Sequence, residues 1–202
     1  GFKGVVTPRQ LMRLAAHEDC HARLIWRRGQ RWHLQSGPLD AADFAARGAR
    51  AWTVLVQDIN FVRPAADALL REFRFVPYAR LDDLMASYAT KGGGVGPHLD
   101  SYDVFLLQGQ GERRWQISRQ QQLVSVPDAP IKLLSNFVPE AEWVLRPGDM
   151  LYLPPGVAHC GTAVTDCITY SIGFRAPTAA ALQQGLLRFL EDRCDDTSLY
   201  AD

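Results

Sequence analysis

The chain has 202 residues, 47% of them hydrophobic, a composition that excludes wholesale disorder and fits one sizeable folded domain. Basic and acidic side chains are equal in number, 22 each, which argues against a protein whose whole surface binds nucleic acid. The charge is uneven, because residues 1–80 carry 13 basic and 7 acidic side chains and residues 81–202 carry 9 and 15. The acidic half is either suited to a basic partner or simply a solvated surface.

Cysteine content and hydropathy bear on the cellular environment. The four cysteines, at positions 20, 160, 167 and 194, form no CxxC pair, and four thiols do not make a disulfide framework in a chain of this length. No apolar run approaches the roughly 20 residues that a membrane-spanning helix needs. We therefore expect a cytoplasmic protein with no membrane partner.

Residues 1–80 are predicted to mix helices and strands. Thr7 is a typical helix N-cap, with Pro8 in the first turn and Gln10 completing a capping box, so a helix is expected to run to about His17. The other predicted elements are a hairpin around Gly29-Gln30 (residues 23–28 with 31–36), a short helix (40–47), a strand (51–58) and a helix (64–73).

After residue 80 the pattern changes to short strands separated by Gly and Pro. They are predicted at residues 84–90, 102–108, 112–118, 142–145, 150–153 and 166–174, with a tight hairpin at Gly109-Gln110-Gly111. Turn signals every 8–12 residues are typical of a β-sandwich or barrel. An amphipathic stretch at 178–193 predicts a final helix with Leu182, Leu186, Phe189 and Leu190 on one stripe. The predicted fold class is therefore mainly β with flanking helices.

One candidate metal motif lies near the N-terminus. His17-Glu18-Asp19-Cys20-His21 matches the HExxH pattern of zinc peptidases, in which two histidines one helical turn apart bind zinc and the glutamate activates water. The context is unfavourable, because strand-like residues follow His21 almost at once and no third ligand stands at a recognisable spacing. An exposed polar helix end is the favoured interpretation.

The second candidate is His98-Leu99-Asp100 together with His159. On a strand, residues two apart point to the same face, so His98 and Asp100 could bind one metal ion and His159 could complete a site of two histidines and one carboxylate. Such a site leaves positions open for co-substrate and dioxygen and suits non-haem Fe(II). The preceding glycines, 92–94 and 96, lead into a strand rather than a helix, which argues against phosphate binding.

The stretches around these histidines resemble a known family. GGGVGPHLD and PGDMLYLPPGVAH are similar to the two metal-binding motifs of the cupin superfamily, specifically its Jumonji-C-type 2-oxoglutarate oxygenases. The bacterial ribosomal oxygenases, which hydroxylate an arginine of a large-subunit ribosomal protein, are the more similar subgroup. The resemblance extends over almost the whole chain, from GPLDAADF through WTVLVQDIN to TYSIGFRAP.

The resemblance implies a domain organisation and a function. A double-stranded β-helix (cupin/Jumonji-C jelly roll) would occupy residues 1–176, with residues 1–80 forming α/β elements packed on it. Residues 177–202 would begin a helical dimerisation region whose remainder is absent, so the full-length protein would be a homodimer. The implied activity is hydroxylation of a ribosomal protein with Fe(II), 2-oxoglutarate and dioxygen, and no direct binding of nucleic acid is expected.

The resemblance also implies roles for individual residues. The iron ligands would be His98, Asp100 and His159, and Arg113 would bind the distal carboxylate of 2-oxoglutarate, a task suited to a bidentate guanidinium; Arg114 should then face outward. Ser171 could hydrogen-bond near the iron or co-substrate, or be a buried strand serine. Further candidates for the substrate pocket are Tyr102, Asp103, Gln108, Asp82 and Asp83, the three aspartates as partners of a substrate guanidinium.

Other functions remain open from the sequence. Another Jumonji-type oxygenase, such as a histidyl hydroxylase or a demethylase, would share the fold and the iron ligands. A non-enzymatic cupin that binds metal would share the ligands without turnover. Arg113 could also be a surface residue of a hairpin.

Overall fold

In the computed structural model, residues 1–193 are described, and they form ten strands and five α-helices. The helices are α1 (Pro8–Ala15), α2 (Ala41–Ala45), α3 (Ile59–Val62), α4 (Pro64–Arg71) and α5 (Ala179–Glu191), with a 3-10 turn at Tyr78–Arg80. The strands are β1 (Ala22–Arg28), β2 (Arg31–Ser36), β3 (Trp52–Val56), β4 (Leu81–Ala89), β5 (Asp103–Gln110), β6 (Arg113–Ser118), β7 (Ala141–Leu145), β8 (Met150–Leu153), β9 (Ala158–Ala163) and β10 (Cys167–Phe174).

The strands form two antiparallel sheets. The larger sheet has seven strands in the order β2-β1-β3-β4-β10-β5-β8, and the smaller has three in the order β7-β6-β9. Residues of both sheets line one cavity. The predicted mainly-β architecture, a double-stranded β-helix with flanking helices, is confirmed.

Local signals account for the N-terminal elements. Thr7 caps α1, and its side chain and that of Gln10 form the predicted capping box. Asp40 caps α2 in the same way with Asp43, because a short polar side chain can accept from the free N–H groups of a helix start. The hairpin around Gly29 is present, with Arg28 paired with Arg31 in the register of β1 and β2.

The main hydrophobic core lies between one face of the large sheet and the N-terminal helices. Leu11 of α1 and Ala66 of α4 are fully buried, and they belong to the same cluster as Leu24 of β1 and Val54 of β3. Complete burial of one leucine side chain contributes about 1.5–3 kcal/mol. Because the helices cover this face, the opposite face of β1, β3 and β4 is left to line the cavity.

In the second half, one prediction is wrong and one strand was missed. Gly109-Gln110-Gly111 does not form a hairpin, since β5 and β6 lie in different sheets, and the chain turns a corner at Gly111, where φ is +62°. The fully buried Gln108 braces this corner, because its Nε2 donates to the carbonyls of Gln110 and Gly111 at 2.9 and 3.2 Å. Strand β9 was not predicted, because AHCGTA lacks an alternating apolar pattern.

The C-terminal helix is present as predicted, with Thr178 as its N-cap. None of its residues is buried, and its exposed apolar side chains are Leu182, Leu186, Leu187, Phe189 and Leu190. The assignment of residues 177–202 to a dimerisation region stays a prediction, and its last part, residues 194–202, lies outside the described residues. Within residues 1–193, no helix is both long and apolar enough to cross a bilayer.

Candidate active site

Three potential metal ligands converge at the cavity. The ligand atoms of His98, Asp100 and His159 all lie within 4.8 Å of one another. Oδ2 of Asp100 is 3.6 Å from Nε2 of His159 and 4.0 Å from Nε2 of His98. His159 is the second residue of β9, whereas His98 and Asp100 lie on the segment that precedes β5. The structure thus brings together the three residues that the sequence predicted as ligands.

The local backbone of this segment differs from the prediction. His98 and Asp100 were expected on one strand, but only His98 takes part in a β-bridge, with His159, and β5 begins at Asp103. Pro97 cannot donate to a ladder, so the segment is held by separate bonds. The N–H of Leu134 donates to Pro97 O at 2.9 Å, and the N–H of Gly156 donates to Asp100 O at 2.8 Å.

Each imidazole is oriented by a backbone carbonyl two residues before it. Nδ1 of His98 is 2.9 Å from Gly96 O, and Nδ1 of His159 is 3.0 Å from Val157 O. A carbonyl only accepts, so each Nδ1 carries the proton and each Nε2 presents a lone pair toward Asp100. Burial and the neighbouring His98 lower the pKa of His159 to about 4. Two imidazoles that each present Nε2, together with one carboxylate, form a donor set that suits non-haem Fe(II).

The cavity beside these ligands has a volume of about 650 Å³. Its walls come from the large sheet (β1 to β5 and β10), from the small sheet (β6 and β9), and from a loop at residues 125–133. This loop is tied by a β-bridge between Ser125 and Leu134. A volume of this size accommodates a small organic ligand together with part of a substrate side chain.

Arg113 is the buried cation of the cavity wall. The residue is 4% exposed, and its Nε and Nη2 are buried without a hydrogen-bond partner in the described part of the protein. Its neighbour Arg114 is exposed on the other face of β6, as predicted. A buried guanidinium without a counter-ion is strongly unfavourable, so Arg113 is a candidate for binding an anionic ligand.

Three more of the predicted residues line the cavity from the large sheet. Asp83 is on β4, Ser171 is on β10, and Tyr102 immediately precedes β5. Burial raises the pKa of Asp83 to about 6, although the N–H of Asp58 donates to its Oδ2 at 3.3 Å. Burial, together with the charge of Asp100, raises the pKa of Tyr102 to about 12.

The remaining predicted pocket residues lie away from the cavity. Asp82 points to the opposite face of β4 from Asp83, where its Oδ1 accepts from Nε of Arg175 at 3.0 Å. Asp103 accepts from Nη2 of Arg80 at 2.7 Å and from the hydroxyl of Tyr152 at 2.6 Å. Gln108 braces the corner between the sheets, and its Oε1 accepts from Thr169 Oγ1 at 2.9 Å. All three side chains are therefore occupied elsewhere.

Several cavity residues were not predicted. Thr53, the second residue of β3, is fully buried, and its Oγ1 has no partner among the described residues. A polar residue inside the apolar run of this strand was a usable signal. Trp115 lies close to His159, with ring centroids 5.9 Å apart, and its Nε1 is likewise buried and unpartnered. Arg23 and Lys132 add two cations to the cavity wall.

The HExxH-like segment forms no comparable site. Helix α1 ends at Ala15, before His17, so the two histidines do not share one helical face. His17 is exposed, and its Nδ1 lies 3.5 Å from Asp19 Oδ2. Among residues 1–193, the potential metal ligands that cluster in a group of three are His98, Asp100 and His159.

Comparison with known proteins identifies a family and its relatives. The model of the JmjC domain matches residues 68–182. The ribosomal protein uL16 3-hydroxylase of Escherichia coli is 37% identical over 202 residues, which are 100% of this chain and 54% of that protein. A probable ribosomal oxygenase of Haemophilus influenzae is 38% identical over 91% of this chain and 46% of its own length. The chain thus spans about half the length of these curated relatives.

Solved structures agree with these matches. The E. coli ribosomal oxygenase YcfD in complex with cobalt and 2-oxoglutarate superposes with a TM-score of 0.82 and 36% identity, over 100% of this chain and 53% of that one. Its complex with cobalt and succinic acid gives a TM-score of 0.78, over 100% of this chain and 52% of that one.

Proposed function

Because this chain belongs to the JmjC-domain family, we propose that it is an Fe(II)- and 2-oxoglutarate-dependent protein hydroxylase. Its substrate is an arginine side chain of a large-subunit ribosomal protein. Dioxygen, 2-oxoglutarate and a substrate C–H group are converted to succinate, carbon dioxide and the hydroxylated product. The name of the E. coli relative, a uL16 3-hydroxylase, supports the choice of a ribosomal protein.

The observation that carries the proposal is the buried and unpartnered guanidinium of Arg113 in the same cavity as the candidate metal ligands. A dicarboxylate satisfies this requirement, since one carboxylate pairs with Arg113 while the rest of the molecule extends toward the histidines. The bidentate geometry of a guanidinium favours such a partner. The YcfD complex with cobalt and 2-oxoglutarate supports the identity of the dicarboxylate.

His98, Asp100 and His159 would hold the metal ion. When bound, Fe(II) supplies the activation of dioxygen that insertion of oxygen into a C–H bond requires. The protein contributes the orientation of the ligands, because the carbonyls of Gly96 and Val157 hold each Nε2 toward the carboxylate. The apolar side chains of the cavity, Leu106 and Val104 among them, help to exclude water.

Asp83 supports an arginine as the target. It is a carboxylate of the cavity wall on the large sheet, and it lines the same cavity as the metal ligands. A guanidinium pairs strongly with such a carboxylate once both are shielded from water. The aliphatic part of the arginine would pass the side chains of Met85 and Tyr102, which line the same wall.

Mass spectrometry of a ribosomal protein tests this function. Purified protein is incubated with Fe(II), 2-oxoglutarate and uL16, and the expected product is uL16 that carries one additional oxygen on an arginine, together with an equivalent of succinate. The Asp100→Ala variant should give neither product. Loss of a methyl group from a methylated substrate, or oxygen on a histidine, would assign a different JmjC activity. Absence of succinate with iron present and uL16 in excess would contradict the proposal.

A further inference from the structure

The tip of the β1–β2 hairpin carries an unusual concentration of positive charge. Trp26 pairs with His33 and Arg28 pairs with Arg31 in the antiparallel register. Since side chains two residues apart on a strand share a face, all four lie on the same face of the sheet. Arg47, which follows α2, lies over the same tryptophan, with its guanidinium carbon 3.7 Å from the ring centroid. We refer to these five residues as the basic face.

The arginine pair of the basic face is unfavourable for folding. Arg28 and Arg31 are exposed and directly opposite each other, an arrangement in which like charges destabilise a strand pair. Within the described part of the chain, neither side chain has a carboxylate within 4.0 Å, and Arg47 forms no ion pair there either. The positive charge of this face therefore remains available to a ligand.

The aromatic residues of the basic face form a stack. The rings of Trp26 and His33 are nearly parallel, at an angle of 8° with centroids 5.2 Å apart. Nε of Arg47 donates to Asp43 O at 3.2 Å, which holds the guanidinium in place. The Asp43 carboxylate accepts from Gln35 and from the N–H of Asp40 within the cap of α2, and it lies near enough to Arg47 for the two charges to interact. Among the described residues, Arg28 and Arg31 are left without a carboxylate within 4.0 Å.

We propose that the basic face is a binding surface for RNA. Arginine forks match phosphate oxygens, and a layered arrangement of arginine, tryptophan and histidine offers planar groups on which unpaired bases can stack. An acidic polypeptide would use the charge but not the planar groups, so the combination favours RNA. The sequence led us to expect no direct binding of nucleic acid, and the local cluster of the basic face changes that expectation. The zero net charge of the chain describes the whole surface and does not oppose binding at one site.

The position of the basic face relates it to the cavity. The side chains that alternate with it on β1 and β2, Arg23, Ile25 and Leu34, line the cavity on the other side of the sheet. RNA on the basic face would therefore lie directly behind the wall of the site. Binding of RNA to the basic face does not depend on the proposed hydroxylation, since RNA binding is measured without turnover.

Fluorescence anisotropy with a labelled single-stranded RNA of mixed sequence tests the proposal. The double variant Arg28→Gln/Arg31→Gln should bind about tenfold more weakly than the unmodified chain. The slope of log affinity against log salt should fall in magnitude by about 1.4, which is the value for two lost phosphate contacts on a single strand. The matched control is Arg9→Gln/Arg13→Gln, which removes two exposed arginines from α1, and its affinity and slope should not change.

Both double variants alter exposed side chains, and equal melting temperatures would show that each remains folded. An equal loss of affinity in the control would overturn the proposal, because binding would then follow total charge. Displacement of the RNA by polyglutamate at the same charge concentration would also overturn it, in favour of an acidic protein partner. Failure of the unmodified chain to bind RNA at low salt would have the same consequence.

Discussion

His98 and His159 are joined by a reciprocal pair of backbone hydrogen bonds, 2.9 Å from His98 N to His159 O and 2.8 Å from His159 N to His98 O. The two residues are far apart in sequence, and this bridge places their imidazoles side by side, with ring centroids 4.2 Å apart. The backbone therefore preorganises the two histidines relative to each other.

The first prediction concerns metal binding. Addition of Co(II) to the purified chain should raise its melting temperature, since a ligand that binds only the folded state stabilises it by about 2.7 kcal/mol at 100 times its dissociation constant. Asp100→Ala should lose this shift, while its melting temperature without metal should change little. Differential scanning calorimetry with and without Co(II) provides the measurement.

The control for this experiment is His17→Ala, which alters the exposed HExxH-like segment. It should retain the full shift in melting temperature. Loss of the shift in His17→Ala with retention in Asp100→Ala would place the metal in the N-terminal segment instead.

The second prediction concerns Arg113. Replacement by methionine removes a buried charge without a partner, so the protein without ligand should become more stable by roughly 1–3 kcal/mol. The same change should weaken binding of 2-oxoglutarate by roughly 30-fold or more, because the buried charge pair is lost. Urea denaturation and isothermal titration calorimetry would measure the two effects.

Arg114→Met is the matched control, since it removes the neighbouring arginine from the exposed face of the same strand. It should leave the affinity for 2-oxoglutarate unchanged. Should the two variants bind the co-substrate equally well, Arg113 would have no role in holding it.

The third prediction is a pH dependence that arises from Asp83. Its pKa is about 6 because of burial, with further influence from the charges of Asp58, Asp82 and Arg23. An arginine stays protonated throughout this range, so the affinity for a substrate peptide should fall by up to about tenfold from pH 7 to pH 5 as the carboxylate becomes neutral. Fluorescence anisotropy of a labelled uL16 peptide would measure this dependence.

Asp83→Asn should bind the peptide weakly at both pH values, whereas Asp82→Asn should keep the pH dependence.

The raised pKa of Asp83 also makes the stability of the protein depend on pH. The folded state holds the proton more tightly than the unfolded state, so ionisation of Asp83 lowers the free energy of unfolding as pH rises from about 4 through 6. Asp83→Asn should therefore raise the melting temperature more at pH 7 than at pH 4. A larger gain at pH 4 would contradict this assignment.

The fourth prediction concerns Gly94, which pairs with Thr162 beside the metal ligands. A Cβ at this position would collide with the carbonyl oxygen of Gly161, a backbone atom of β9. Gly94→Ala should destabilise the protein by about 1–3 kcal/mol and weaken Co(II) binding, because β9 carries His159. Gly185→Ala in α5, where a Cβ meets nothing within 4 Å, should cause neither effect in the same assays.

The sequence predicted those parts of the fold that depend on local chemistry. The caps at Thr7 and Asp40, the hairpin turn at Gly29 and most of the strands follow from the residues within each element. The convergence of His98, Asp100 and His159 could be predicted because their residue types and flanking motifs are specific. Only the family resemblance indicated that Arg113 lines the wall of the cavity instead of lying on the protein surface.

What the sequence did not predict depends on contacts between distant segments. The corner at Gly111 separates β5 from β6 because β5 pairs with β8 and β10, which are contributed by later residues. For the same reason Gln108 was assigned to the pocket, although its amide is used by the backbone of the corner. Asp103 was assigned there as well, and its partners Arg80 and Tyr152 cannot be recognised from sequence spacing.

Both sheets contribute side chains to the cavity wall. His159 and Arg113 come from the three-stranded sheet, whereas Asp83 and Ser171 come from the seven-stranded one. Under the proposed function, substitutions on β1, β3 or β4 would alter which polypeptide enters while His159 and Arg113 stay in place. One oxidative chemistry would then be free to acquire new protein targets during evolution.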